Sequence, residues 1–288
     1  MCASCANSRE EQWSVSRGRA FARLGLSTIN MTFTDAKQRF SNRVADYVRY
    51  RPGYPSAVRE ILRTECGLKS GHVIADIGSG TGFLSELFLK NGNRVFGVEP
   101  NEAMRQAGEE YLASYDGFAS INGSAESTTL DDASVNFVTA GQAFHWFDQN
   151  AARAEFSRLL KPAGWVVVIW NERLTDTTPF LRGYESLLRT FGTDYASVKE
   201  SYPSEQHMSD FFGPNAYASR TLPNFQEFDF AGVAGRLRSS SFIPAADHPN
   251  FTPMMEELQR IFTEYSRDDR VRLEYSTHIY FGHLEGAR

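Results

Sequence analysis

The sequence predicts an α/β chain organised around a doubly wound, largely parallel sheet. Three observations carry that expectation. Residues 73–82 read Val-Ile-Ala-Asp-Ile-Gly-Ser-Gly-Thr-Gly, an apolar run of buried-strand character closed by a carboxylate and three alternate glycines. A second apolar run, Arg94–Val98, ends at Glu99, 19 residues beyond Gly80. Strand-like runs then alternate with helix-period stretches as far as residue 170, the pattern of successive βαβ units.

Taken in order, residues 1–30 are rich in Ser and Arg, have no apolar period and contain no signal-peptide core, so they read as a disordered extension. Residues 31–288 read as one domain, because the chain holds a single cofactor fingerprint. Residues 55–66 carry Val58, Ile61, Leu62 and Cys66 at helical spacing behind a proline that suits a first turn. After the 73–77 strand, Phe83, Leu84, Leu87 and Phe88 form one helical face, and Asn91-Gly92-Asn93 turns the chain into the strand at 94–98. Asn101 is a good cap for a helix burying Met104, Ala107, Tyr111 and Leu112. Further strands are expected near 118–122, 135–140 and 165–170. Between the last two, a helix starting near Asp148 buries Phe156, Leu159 and Leu160 and stops before Lys161-Pro162-Ala163-Gly164.

Residues 174–270 interrupt the alternation. Helices are expected at 179–191 and 253–265, joined by loops rich in Ser, Pro and Asn. An insertion between strands five and six, placed over the carboxyl edge, would form a substrate lid; a scaffold extension is the other reading. Closing strands are expected at 225–230 and 273–281, the latter alternating at Tyr275, Thr277, Ile279 and Phe281. The domain thus divides into a cofactor-binding core at about 40–173, the insertion at about 174–270 and a closing strand at about 271–283.

Composition narrows the function classes. A net charge of −5 without any Lys/Arg run argues against a nucleic-acid surface. The longest apolar stretch, at 165–170, is far too short for a membrane span. Three cysteines give no disulfide framework and fit a reducing cytoplasm, and Cys2 with Cys5, lacking a second pair, gives no metal site. Twenty-two phenylalanines are enough to line a cavity as well as fill a core. The expected partner is a small molecule, and the chain a monomer or homodimer.

The glycine loop defines the ligand. Dinucleotide folds use G-x-G-x-x-G so that amides at a helix N-terminus meet a pyrophosphate, and a carboxylate just before the loop would repel that anion. Here the spacing is G-x-G-x-G, behind Asp76. A ligand with positive charge and hydroxyls fits better, and S-adenosyl-L-methionine offers a sulfonium, an ammonium and a ribose. Glu99, at the tip of the second strand, is placed to accept ribose hydroxyls.

Four segments carry a family resemblance: Asp76-Ile-Gly-Ser-Gly-Thr-Gly82, Gly97-Val-Glu99-Pro-Asn101, Gly123-Ser-Ala125-Glu126 and Gln142-Ala-Phe-His-Trp-Phe147. Together they resemble the class I S-adenosylmethionine-dependent methyltransferases. The last of them, with Phe40-Ser-Asn-Arg-Val-Ala-Asp-Tyr-Val-Arg-Tyr-Arg51-Pro-Gly-Tyr54-Pro, is similar to the small-molecule branch that includes trans-aconitate-type enzymes. The resemblance implies a Rossmann-like seven-stranded sheet of order 3-2-1-4-5-7-6 with its last strand antiparallel. It implies a donor site of Arg51, Tyr54, Asp76, Gly78, Ser79, Gly80, Thr81, Gly82, Glu99, Pro100, Met104, Ala125, Glu126, Ala140, Gly141 and Gln142. Acceptor candidates are Phe144, Trp146, Trp170, Asn171, Arg173 and Arg236. His145 is the catalytic candidate, either as a general base or as a residue that orients an ionised acceptor or caps its loop. Glu126 reads as a donor ligand or as a helix-start acid, and Arg51 as a donor ligand or the partner of a surface acid. The expected activity is methyl transfer to oxygen, with carboxylates among the acceptors; a non-catalytic sensor of the donor or its demethylated product is the alternative.

Overall fold

The structure, a computed structural model, describes residues 44–200, 202–213 and 216–284. The extension expected over 1–30, the Cys2/Cys5 pair and the beginning of the motif at Phe40 lie outside the described residues. Seven strands, β1 (Val73–Ile77), β2 (Arg94–Val98), β3 (Phe118–Ile121), β4 (Val135–Gly141), β5 (Leu160–Arg173), β6 (Tyr217–Phe228) and β7 (Val271–Gly282), form one sheet. Their order is β3-β2-β1-β4-β5-β7-β6. Pairing is parallel from β3 to β5, whereas β7 runs antiparallel to both β5 and β6. The order and the reversed last strand are those expected from the resemblance.

Ten helices accompany the sheet among the described residues: α1 (Val44–Tyr50), α2 (Ala57–Glu65), α3 (Phe83–Leu89), α4 (Glu102–Tyr111), α5 (Gln149–Leu159), α6 (Pro179–Phe191), α7 (Tyr195–Glu200), α8 (Glu205–Phe212), α9 (Phe230–Arg238) and α10 (Phe251–Tyr265). The two-residue period of a strand decides which core each side chain joins. On β5, Val166 and Val168 face a layer holding Phe156 of α5 and Phe211 of α8. Val167 and Ile169 face the opposite layer, with Leu62 of α2 and Phe88 of α3. A buried strand needs apolar residues at every position for this reason, which is why β5 was legible as a continuous run. Phe156 is fully buried, so its truncation to alanine would leave a cavity and cost about 3–5 kcal/mol.

Caps fix where the helices start. Asn101 Oδ1 accepts from the Met104 amide at 3.1 Å, and Asp148 Oδ1 accepts from the Asn150 and Ala151 amides at 3.1 Å. Both caps follow strand tips, so α4 and α5 begin at the carboxyl edge of the sheet.

Residues 174–270 differ from the expectation. A third core, built from α6, α7, α9, α10 and the first half of β7, occupies this region. It is interrupted by β6, which begins at Tyr217 and divides the segment into two helical stretches. Phe230, expected to end a strand, opens α9 behind Asp229, whose Oδ1 accepts from the Gly232 amide at 2.7 Å. An edge strand pairs on one side only, so β6 tolerates Pro223 and many polar side chains and shows no apolar signature. α7 and α8 are too short to display a period.

The chain ahead of α2 crosses the carboxyl edge and is tied down there. The Tyr50 carbonyl accepts from Gln226 at 3.1 Å, and the Gly53 carbonyl accepts from Asn171 at 3.2 Å and Asn224 at 3.0 Å. Gly235 on α9 has no side chain because the Tyr50 ring occupies that volume. This close approach of α1 to α9 brings Arg51 beside Arg236. No helix among the described residues is long and apolar enough to cross a membrane.

Candidate active site

The tip of β1 and the start of α3 form a cradle made mostly of backbone. Gly78 and Gly80 have φ of 67° and 56°, left-handed values that glycine adopts without strain. The Gly78 and Ser79 amides donate to the Val98 carbonyl at 2.8 and 3.1 Å, joining the loop to β2. Glu99 then locks it from the other side: its carboxylate accepts from the Gly80 amide at 3.0 Å and the Asn101 amide at 2.8 Å. These bonds orient Glu99 at the rim of the first donor cavity, where a carboxylate can accept from a ligand hydroxyl.

Two cavities open along this loop. One, of about 710 Å³, is lined by Gly78, Gly80, Glu99, Pro100, Met104, Ala125, Gly141, Gln142 and Trp146, with Tyr47, Asn101, Ala143 and Phe147. The other, of about 530 Å³, is lined by Arg51, Tyr54, Asp76, Ser79, Thr81, Asn171 and Arg236, and shares the glycines and Gln142 with the first. Asp76 is fully buried and accepts from Ser85 Oγ at 2.6 Å and Thr139 Oγ1 at 3.2 Å. Burial outweighs those bonds and pushes its carboxyl up to about 7. A cationic ligand nearby would return it to the ionised form. Thr81 Oγ1 and Arg51 Nε are buried without a partner among the described residues. An adenosyl ligand carrying an ammonium and a carboxylate fits this combination of open backbone, acids and unsatisfied donors.

A third cavity, about 550 Å³, lies under the helical segment and shares Arg51, Gln142, Asn171 and Arg236 with the second. Arg236 is 7% exposed, and its guanidinium meets only hydroxyls: Tyr275 at 3.3 Å, Ser239 at 3.5 Å and Ser240 at 3.0 Å. Arg51 donates to the Ser239 carbonyl at 2.8 Å and lies over the Tyr47 ring, 5.0 Å from its centre. Burial and the charge of Arg236 lower it to about 10. Neither arginine has a carboxylate partner among the described residues. Arg173 is different: its guanidinium bonds Glu185 at 2.7 Å and the Tyr195 hydroxyl at 3.0 Å.

A family model described as a methyltransferase domain matches residues 75–168. An uncharacterised methyltransferase-like protein of Schizosaccharomyces pombe is 26% identical over 253 residues, covering 86% of this chain and 96% of that protein. A second S. pombe methyltransferase, also uncharacterised, is 33% identical over 156 residues, 52% of this chain and 58% of that protein. Among solved structures, an Anaeromyxobacter dehalogenans chain assigned as a type II methyltransferase superposes with a TM-score of 0.59 at 21% identity, covering 81% of this chain and 97% of that one. Residues 75–168 carry a methyltransferase domain, and the chain is an S-adenosylmethionine-dependent methyltransferase.

In this methyltransferase several residues expected at the site stand elsewhere. Gly82 packs against Leu112, where a Cβ would meet Cδ1 at 2.6 Å, so it serves the loop's packing. Ala140 is buried in β4 and lines neither donor cavity. Glu126 accepts from the Asp148 amide at 3.0 Å, the helix-start role, and is outside the lining. Phe144 is core, its ring 4.9 Å from that of Phe211. Trp146 lines the first donor cavity and not the one under the helices. Trp170 is buried behind the wall, with Nε1 unpartnered.

His145 sits in the 3-10 turn Phe144–Trp146, its ring 4.5 Å from Trp146, 5.0 Å from Trp170 and 6.4 Å from Tyr202 between centroids. It lines none of the three cavities. Burial, and then the charge of Arg51, lower its pKa to about 3, so the imidazole is neutral and a poor proton acceptor. The general-base reading therefore has no geometric support. Gln142, just before it, holds φ at 56°, an uncommon value for a side-chain-bearing residue, and its side chain accepts from the Asn171 amide. Sequence reasoning missed Tyr184, Tyr195, Lys199, Tyr202, Phe242 and Tyr275 in the third cavity, since no motif joins residues on α6, α7 and β7.

Proposed function

We propose that this methyltransferase methylates a carboxylate oxygen of a small anionic acceptor held under the helical segment. The observation that carries the reading is Arg236, a buried cation without a carboxylate partner among the described residues, at the junction of the donor and acceptor cavities. An unpaired buried charge is costly, and an anionic ligand supplies the missing partner. Resemblance to the trans-aconitate-type branch supports carboxylate chemistry from an independent direction.

When bound, S-adenosylmethionine supplies an electrophilic methyl carbon on a sulfonium. The chain's contribution is alignment and dryness. The glycine loop and Glu99 set the donor's position, Arg51 and Tyr54 close the second cavity over its amino-acid end, and Arg236 orients the acceptor anion. A carboxylate is ionised at neutral pH, so no base is required and a neutral His145 is no obstacle. Its role is to pack Trp146 and Trp170 behind the cavity wall.

Incubation with methyl-labelled S-adenosylmethionine and a pool of metabolite carboxylic acids tests this. The expected product releases its label as methanol on mild base treatment, as an ester must. Label stable to base would place the methyl on nitrogen, carbon or an ether oxygen and overturn the carboxylate reading.

A further inference from the structure

The charge distribution of the third cavity says more about the acceptor than that it is an anion. Four cations line it, yet they are not equivalent. Arg173 and Lys199 both bond the carboxylate of Glu185, at 2.7 and 3.2 Å, the more exposed Arg189 reaches it at 3.0 Å, and Tyr195 donates to the same group at 2.5 Å. Glu172 adds a second acid to this wall and is paired with His278 at 3.1 Å. Each lining cation of the wall beneath α6 and α7 is therefore already held by an acid. Of the four, Arg51 and Arg236 have no acid partner among the described residues, and both also line the second donor cavity.

Two unpaired cations must serve two ligands. The donor brings one carboxylate of its own, which leaves a single positive charge for the acceptor. The remaining surface is aromatic or apolar, with Tyr184, Leu188 and Phe242 all buried in the third core. A second or third carboxylate would have to lie against these side chains or compete with Glu185, and neither gives it a partner.

We propose that the acceptor is a monocarboxylate on an apolar or aromatic body, its anion on Arg236 and its body against Tyr184, Leu188 and Phe242. This inference rests on the carboxylate reading above. In the transfer, an oxygen lone pair of the acceptor forms the O–CH3 bond while the S–C bond breaks, its electron pair returning to sulfur. The acceptor's negative charge and the sulfonium's positive charge disappear together, and no proton moves. The neutral ester loses its attraction to Arg236 and is released.

Calorimetry on the full chain loaded with S-adenosylhomocysteine, with ester formation measured in parallel, tests the assignment. The probes are two monocarboxylates, octanoate and 3-phenylpropanoate, and two tricarboxylates, citrate and trans-aconitate. The monocarboxylates are expected to bind at least tenfold more tightly. In Glu185→Gln, which frees Arg173 and Lys199, that preference is expected to shrink at least fivefold; the wild-type comparison stands without the variant. Tighter binding of the tricarboxylates to the wild type, or an unchanged preference in a folded Glu185→Gln protein, would overturn the monocarboxylate assignment while leaving carboxylate methylation intact. If no carboxylate binds or is esterified although S-adenosylhomocysteine binds, the carboxylate reading itself is overturned.

Discussion

From Ile77 to Met104 the surface that meets the donor is largely main chain: Gly78 and Gly80 expose their backbone, and Glu99 is clamped by two amides. Across the cleft, between α6 and β7, the surface is all side chain, and Arg236 reaches the cavity from a helix whose glycine at 235 admits the Tyr50 ring. A backbone site needs a fixed local geometry, so it leaves a contiguous signature in sequence. A side-chain site needs only that distant residues converge, and it leaves none. The donor half should accordingly fail when its backbone is altered, and the acceptor half when its charges are.

The sharpest way to break that comparison is Gly80→Val. At φ 56° a β-branched residue is strained, and its Cβ would sit 3.4 Å from Met104 Cε within the donor cavity. Calorimetry with S-adenosylhomocysteine is expected to show at least a hundredfold loss in a folded variant; unchanged affinity would remove the loop from the site. Glu99→Ala tests the side chain that both locks the loop and faces the first donor cavity. It should weaken the same ligand by about 1.5–3 kcal/mol, the range for bonds to a charged group, and loosen the loop around Gly80 as well.

His145 gives a smaller effect with a definite sign. Its folded pKa lies near 3, below the ordinary 6.5, so the unfolded chain binds the extra proton between those values. Stability from keeping the imidazole neutral is complete above pH 6.5 and is lost as pH falls toward 3. His145→Phe should therefore flatten the acid limb of the stability profile while lowering turnover less than about fivefold, against the roughly hundredfold or more that loss of a general base produces. A rate that rises through a histidine-like pKa in the wild type and not in the variant would restore the base. Smallest of all, Glu126→Ala should leave donor affinity within about threefold and cost about 1 kcal/mol of stability, since its carboxylate serves the start of α5 in the manner of a cap.

What the sequence revealed follows the same division. Strands β1, β2, β4 and β5 each hold a buried, mostly apolar run, and α4 and α5 carry clear caps, so the core was legible from Val73 to Trp170, except that Leu160–Gly164, expected to end a helix, opens β5. The first half of β6 was missed because an edge strand need not be apolar. Arg173 looked the stronger acceptor ligand because it ends the fifth strand at the carboxyl edge, and Arg236 the weaker because its position in space was unreadable. The structure reverses them: Glu185, twelve residues beyond Arg173, pairs with the first, while among the described residues no carboxylate meets the second.

The donor rests on the loop after β1 and the acceptor on Arg236, as separable halves, and Arg236→Gln, assayed for S-adenosylhomocysteine affinity and for kcat/KM with the carboxylate acceptor, separates them. Donor affinity is expected within about twofold of wild type and kcat/KM lower by about a hundredfold, the loss appropriate to removing the charge partner of a buried anion. Equal losses in both quantities would mean that Arg236 holds the donor, and would contradict the division.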